Sequence, residues 1–370
     1  MTSYSLRVGC SIRDILTPAL VVDLQKLDYN LKRLPESLKG ININIRPHAK
    51  AHKCPSLAHF QIKHGSVGMC CQKLCEAESM VTGGIKDILL SNELVGKSKL
   101  TRLALLARNA HITVCIDNED VASQLSHIAK DLNVELDALV EIDVGQERCG
   151  VPPGEAAVNL ARHLTSLPNL HYKGIQAYQG WNQHIRKYND RKAAVDMVVT
   201  KVKVTLEALR KHDLPCEIVT GGGTGTYIFE ANSGVYTEVQ PGSYVFMDAD
   251  YGRNFDQKDE YVSDFRQSLF VLSTVVSVTP GQRAVLDAGL KAISLDSGVP
   301  VLADYPELTF NNGGDEHGII TPAGNFKVGD TVWLVPGHCD PTVNMYDNLI
   351  GIRNGIVECV WPISGRGPGV

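Results

Sequence analysis

The stretch I-N-I-N-I-R-P-H-A-K-A-H-K-C-P, residues 41–55, alternates apolar and polar positions and then breaks into His48, Lys50, His52 and Lys53 before a proline. Alternation of this kind has the period of a strand, and the titratable residues begin where the strand pattern runs out. Reacting groups at the C-terminal end of a strand are characteristic of β/α proteins, whose sites collect at that face. Lys50 and Lys53 are therefore candidates for a reactive amine.

Outward from this stretch the same texture repeats. Strand-like runs follow at 66–71, 87–92, 111–117, 137–143, 172–178, 217–222 and 237–242, and helical patterns lie between many of them, at 100–110, at 120–130 and most clearly at 191–212. Eight short, mostly apolar runs predict a closed (β/α)8 TIM barrel over residues 25–250, with an open doubly wound sheet as the alternative. Beyond Asp250 the texture changes. Apolar runs at 271–278, 283–289, 331–336 and 354–360 are separated by Gly, Pro and Asp turns, with no long helical pattern. They predict a mainly β domain over 251–370, to which the strand-like segment 17–24, ahead of a helical pattern at 27–38, adds a strand.

The chain of 370 residues is long enough for two domains, and 44 % apolar with 21 % charged residues is ordinary for a globular protein. A net charge of −5 gives no reason to expect nucleic acid or an anionic membrane as partner. No run approaches about 18 apolar residues, and the opening M-T-S-Y-S-L-R-V-G-C lacks a secretory hydrophobic region. Ten cysteines, scattered or adjacent as in Cys70–Cys71, read as reduced thiols rather than a disulfide framework or a zinc set. The default location is cytoplasmic.

On the barrel reading, unusual residues stand at many strand ends: Arg46, His48 and Lys50 after the first, Gln72 and Lys73 after the second, Ser91 to Glu93 after the third. Asp143 and Arg148 follow the fifth, Tyr178 and His184 the sixth, and Tyr244, Asp248 and Asp250 the eighth. So many polar ends argue for one site at that face. After the seventh strand stands T-G-G-G-T-G-T, Thr220 to Thr226. Glycines there expose successive amides, and threonine hydroxyls add donors, as a phosphate requires. The segment lacks the lysine of a P-loop, and locally a flexible turn reads as well. A lysine on one strand end and a phosphate cradle on another suit a phosphorylated aldehyde cofactor held as a Schiff base.

A second cluster is V-P-G-H-C-D-P-T-V-N, residues 335–344. On a strand, His338 and Asp340 would share a face and Cys339 would point away; the pair's nitrogen and carboxylate suit Mn²⁺ or Mg²⁺ better than a thiolate does. An ordinary turn histidine beside an aspartate is the competing reading. His59, His64 and His111 read as surface or packing residues, and Met69, Met80 and Met197 as core.

Together R-P-H-A-K-A-H-K, T-G-G-G-T-G-T, Q-P-G-S-Y-V-F-M-D-A-D-Y and P-G-H-C-D-P-T-V-N resemble the D-threonine aldolase and eukaryotic-type D-serine dehydratase family, from about Thr17 to the C-terminus. The resemblance implies an alanine-racemase-like fold (PLP fold type III) and a pyridoxal 5'-phosphate cofactor. It also implies a divalent metal, Mn²⁺ or Mg²⁺ favoured and Zn²⁺ possible, and a homodimer whose sites form between the barrel of one subunit and the β domain of the other. By the same resemblance Lys50 is the Schiff-base lysine and Arg148 approaches the cofactor ring. Tyr178 lies near the pyridine nitrogen, Thr220, Gly222, Gly223 and Thr224 bind phosphate, His338 and Asp340 hold the metal, and His184 serves the substrate hydroxyl. The implied activity is metal-assisted retro-aldol cleavage of a β-hydroxy-D-amino acid, D-threonine first. D-3-hydroxyaspartate aldolase, D-serine dehydratase and a non-catalytic cofactor-binding protein are the alternatives. A 3-hydroxyaspartate substrate would want a cation at its distal carboxylate, for which Arg46, Lys53, Lys73 and Arg186 are the candidates.

Overall fold

The computed structural model describes residues 7–369. Residues 1–6, part of the opening read above for a secretory region, and Val370, the end of the expected β domain, lie outside them. Strand β1 (Ala19–Asp23) precedes eight parallel strands: β2 (Asn44–Ile45), β3 (Met69–Cys71), β4 (Asp87–Leu90), β5 (His111–Ile116), β6 (Leu136–Glu141), β7 (Leu170–Gln176), β8 (Ile218–Gly221) and β9 (Glu238–Val239). They are ordered β2-β9-β8-β7-β6-β5-β4-β3. The ring closes between its two ends, where the amides of Val67 and Cys70 donate to the carbonyls of Ile45 and Pro47, each at 2.9 Å. That closure rules out the open sheet.

Most of the strands read as apolar runs because both of their faces are covered, while β2 alternates, with Asn44 exposed and Ile45 buried. Met69, Ile88, Val114 and Val140 pack outward against the helices, in the larger core. Their neighbours Cys70, Leu89, Cys115 and Leu139 form a small cluster of their own on the inner face. Polar wiring fills the inside as well. Arg46, 7 % exposed, bonds Glu238 at 2.9 Å and also Asp87. Gly174 marks a register shift in β7: its φ is +149°, and a Cβ there would lie 2.0 Å from the Ile218 carbonyl oxygen.

The remaining strands are β10 (Leu269–Thr279), β11 (Arg283–Leu286), β12 (Val301–Leu302), β13 (Thr309–Asn312), β14 (Gly318–Thr321), β15 (Thr331–Val335), β16 (Asn348–Arg353) and β17 (Ile356–Pro362). Strand β1 lies between β10, antiparallel, and β16, parallel, so the chain's first strand belongs to this second sheet. The helix Leu24–Ser37 then leads into the barrel. Among the described residues, no helix is long and apolar enough to cross a membrane.

Candidate active site

Strand β2 ends at Ile45, and the opening stretch then folds into a short 3-10 turn, Ala49–Ala51, capped by His48, whose Nδ1 accepts the Lys50 amide at 3.3 Å. This turn sends its four titratable side chains in different directions. His52 is fully buried and donates to Gln61 Oε1 at 3.0 Å, away from the mouth. Lys53 adopts φ +50° and is clamped by Asn344 Oδ1 at 2.7 Å and Glu76 at 3.4 Å. His48 lies against Gln72 and Ser91, each at 3.3 Å. Lys50 alone opens to the barrel mouth, its side chain 38 % exposed.

Electrostatics separate the same residues. Burial, and then the Lys50 charge, push His48 down to about 3; burial pushes His52 down to about 4. Both are neutral at working pH. Burial also works against the charge on Lys50, but Tyr178 and Asp340 outweigh it and hold its pKa above the usual lysine value. Asp340 Oδ2 stands 3.8 Å from Lys50 Nζ. The Arg148 guanidinium lies 5.9 Å over the Tyr178 ring and 4.0 Å from Glu141 Oε1. Lys50, Arg148, Tyr178 and Asp340 thus face one space.

The cradle after β8 differs from the sequence expectation in its hydroxyls. Thr220 Oγ1 points into the barrel, donating to Glu238 at 2.8 Å and accepting from Gln240 at 2.8 Å, because residues of β8 alternate faces. Thr224 Oγ1 accepts the Tyr244 amide at 3.0 Å, and Thr226 Oγ1 donates to Glu230 at 2.8 Å. The hydroxyls brace the loop, and the donors left over are amides. Gly222 and Thr224 are buried, and among the described residues no acceptor takes their N–H groups. Buried amides without acceptors call for an anion, so the loop fits a phosphate. Gln183 holds its shape, accepting from the Gly225 amide at 3.0 Å and donating to Thr226 at 2.8 Å.

His184 ends the 3-10 turn Trp181–His184 at the rim. Its Nδ1 donates to Asp250 Oδ2 at 2.5 Å, which leaves Nε2 as the acceptor. Asp250, 5 % exposed, also takes Arg186 at 2.5 Å. Burial alone would raise its pKa, but these two partners lower it to about 2, so it is ionised throughout. Tyr251 packs against the His184 ring with centroids 5.6 Å apart.

His338 and Asp340 are not on a strand. Pro336 and Gly337 end β15 at Val335, and His338 becomes the N-cap of a helix, Cys339–Val343. Cys339 consequently does not point away: its thiol lies 3.2 Å from Asp340 Oδ1 and its amide donates to Asp248 at 3.0 Å. His338 Nδ1 donates to Asp296 at 2.7 Å, and Nε2 has no hydrogen-bond partner among the described residues, the arrangement in which a carboxylate orients a metal-binding imidazole. Burial would raise Asp340, but Lys50 and His338 keep it below its ordinary value. One imidazole nitrogen and one ionised carboxylate fit a divalent cation. The pair also meets Lys50 of its own chain, because the helix Cys339–Val343 packs on the turn that carries Lys50.

Asp296 stands outside the sequence reading, and no spacing could have shown it, since it is 42 residues from His338. Asp250 stood out only as a strand-end residue; its role as the partner of His184 is a tertiary contact.

Comparison with known proteins agrees with this architecture. The family model "Alanine racemase, N-terminal domain" matches residues 22–250, and a serine dehydratase domain model matches 268–352. The chain is 45 % identical over 366 residues to a 3-hydroxy-D-aspartate aldolase of Paracoccus denitrificans (strain Pd 1222), covering 98 % of this chain and 95 % of that one. It is 43 % identical to a D-threonine aldolase of an Arthrobacter species, over 97 % and 95 % of the two chains. The crystal structure of D-threonine aldolase from Filomicrobium marinum superposes with a TM-score of 0.94 at 42 % identity, covering 98 % of each chain.

Proposed function

The chain belongs to the family of alanine-racemase-fold, pyridoxal-phosphate aldolases typified by D-threonine aldolase and 3-hydroxy-D-aspartate aldolase, and we propose that it cleaves β-hydroxy-D-amino acids, D-threonine foremost, to glycine and an aldehyde. The observation that carries this reading is the 3.8 Å approach of Lys50 Nζ to Asp340 Oδ2, which joins a reactive amine on the barrel to a metal-fitting pair on the β domain.

Lys50 would carry the cofactor covalently, the amides of Gly222 and Thr224 would hold its phosphate, and Arg148 and Tyr178 would contact its ring. When bound, pyridoxal phosphate supplies the electron sink for the pair released from the Cα–Cβ bond. His184 Nε2, held as an acceptor by Asp250, takes the proton of the β-hydroxyl. That hydroxyl oxygen becomes the aldehyde carbonyl, and Cα gains a proton to give glycine. His338 and Asp340 would hold a divalent cation whose chemistry is to acidify the hydroxyl beside His184.

D-threonine leads because most candidate cations for a second carboxylate are already engaged. Arg46 is tied to Glu238 and Asp87, Lys53 to Glu76, and Arg186 to Asp250. D-3-hydroxyaspartate is the second reading, favoured by one observation: Arg186 shares Asp250 with His184 and so stands next to the proposed base. Stereochemically resolved threonine, phenylserine, 3-hydroxyaspartate and serine, each with Mn²⁺, Mg²⁺, Zn²⁺ or chelator, test both. Aldehyde and glycine from 2R isomers alone, abolished by chelation, are expected. Full activity in chelator would remove His338 and Asp340 from the chemistry, and pyruvate from D-serine alone would make the chain a dehydratase.

A further inference from the structure

We propose that the barrel mouth carries a divalent-cation site, separate from His338 and Asp340, formed by Glu93, Asp117 and Cys149 with the Glu141 carboxyl at its base. The three donors come from the ends of neighbouring strands: Glu93 after β4, Asp117 after β5, and Cys149 in the loop that follows β6. One ligand atom from each lies within 4.8 Å of the others. A zinc ion sits about 2.0–2.3 Å from such donors, so the cluster needs only a modest side-chain closure to bind one.

A cluster of acids alone would be an ordinary polar surface. Here a second observation points to a ligand. Glu141 is 3 % exposed, and its Oε2 is buried with no hydrogen-bond partner among the described residues. It faces the Glu93 carboxyl, whose own Oε1 is also buried and without a partner, and two ionised carboxylates can only accept and repel. Arg148, 4.0 Å from Glu141 Oε1, is the positive group at hand, and it lies over Tyr178 rather than in the cluster. Three carboxyls and a thiol therefore converge with one arginine to balance them.

The surroundings provide fixation and access. Asp117 Oδ2 accepts the Gly150 amide at 3.1 Å, which ties the loop bearing Cys149 to β5. Cavities of about 280 and 340 Å³ both reach Asp117 and Asn118, one from the side of Glu93 and Cys115, the other from the side of Val151. A thiolate with carboxylates selects zinc or a metal of similar softness over magnesium or calcium.

Zinc binding to the full-length holoenzyme in an Asp340→Ala background tests this independently of the proposed reaction. Equilibrium dialysis against zinc is expected to give one ion per chain, and X-ray absorption at the zinc edge to show one sulfur at about 2.3 Å. Cys149→Ser should remove the sulfur shell, Cys339→Ser should leave it, and the near-isosteric Glu93→Gln should weaken binding at least ten-fold. Unchanged far-ultraviolet dichroism and cofactor absorbance would show that each variant is folded. No bound zinc, a shell of nitrogen and oxygen only, or a sulfur that survives Cys149→Ser would overturn the site.

Discussion

Asp250→Asn is expected to disable the proposed base without unseating the cofactor. In the native site one carboxylate oxygen accepts from His184 Nδ1 and the other from Arg186. An asparagine has the same shape but one donor end and one acceptor end. Arg186 can only donate, so it will claim the amide oxygen and leave the NH₂ facing His184 Nδ1. His184 must then accept at Nδ1 and carry its proton on Nε2, the tautomer that cannot take a proton from the β-hydroxyl. A general base contributes about 10²–10⁴-fold, so kcat should fall by that factor, about 3–5 kcal/mol at 1.36 kcal/mol per decade. Asp250→Ala, which leaves the tautomer free, should lose less. Aldehyde release, followed through an NADH-consuming alcohol dehydrogenase, measures kcat, and cofactor absorbance measures loading. A fully loaded Asp250→Asn enzyme within three-fold of the parent kcat would refute the dyad.

Borohydride reduction of the holoenzyme and peptide mass mapping should place the pyridoxyl label on Lys50; a label on Lys53 would overturn the assignment, since Lys53 is held by Glu76 and Asn344. Gly223→Ala puts a Cβ 2.6 Å from Gln183 Oε1, which accepts the Gly225 amide, so the cradle must shift. Cofactor dissociation, measured by fluorescence, should rise at least about ten-fold, roughly 1.4 kcal/mol; unchanged affinity would free Gln183 of its bracing role. His52, fully buried and held down at about 4, stays neutral in the fold while the unfolded chain takes up a proton below about 6.5. Its contribution to stability is therefore intact above pH 6.5 and lost as pH falls toward 4, by about 2 kcal/mol at pH 5. In His52→Gln the loss of stability in urea between pH 7.5 and 5 should shrink by that amount, and an unchanged loss would place the acid sensitivity elsewhere.

The parts of this molecule that were legible in its sequence are those where a local pattern dictates the outcome. Most barrel strands showed as apolar runs because both faces are buried, β2 showed as an alternation, and the long helix Tyr188–Lys211 showed by its apolar periodicity. Strands such as β12, with two residues, and β14, which begins at Gly318, carry too little pattern to be seen. Helices 55–63 and 74–82 were passed over for a related reason: each is nine residues long, too short to establish a period. Within the site, residue types were legible and directions were not. Thr220 and Thr224 read alike as phosphate donors, yet one hydroxyl faces Glu238 and the other the Tyr244 amide. The spacing of His338 and Asp340 suggested a strand, and Pro336–Gly337 turned it into a helix cap that still keeps the two residues near Lys50. Partners drawn from remote segments, Asp250 for His184 and Asp296 for His338, leave no trace in local spacing.

The two domains are knitted together beside the residues they must bring into register. Lys53, three residues after Lys50, reaches across to Asn344, four residues after Asp340, and Asn344 Oδ1 also accepts the Gly367 amide at 2.9 Å. The Lys53 carbonyl in turn accepts from Gly365 at 3.1 Å. These bonds flank the 3.8 Å gap between Lys50 and Asp340, so the gap is set by short local links rather than by the distant packing of whole domains. The same logic explains why β1 sits in the second sheet: pairing with β10 and β16 anchors the chain ahead of the barrel to the β domain, while the chain after β9 leads back into it. The chain is thus tied at both ends of the barrel, which limits hinge motion between an amine on one domain and a carboxylate on the other. The proposed reaction would place a hydroxyl between a base on the barrel and a cation on the β domain, and such restraint is what positional catalysis requires.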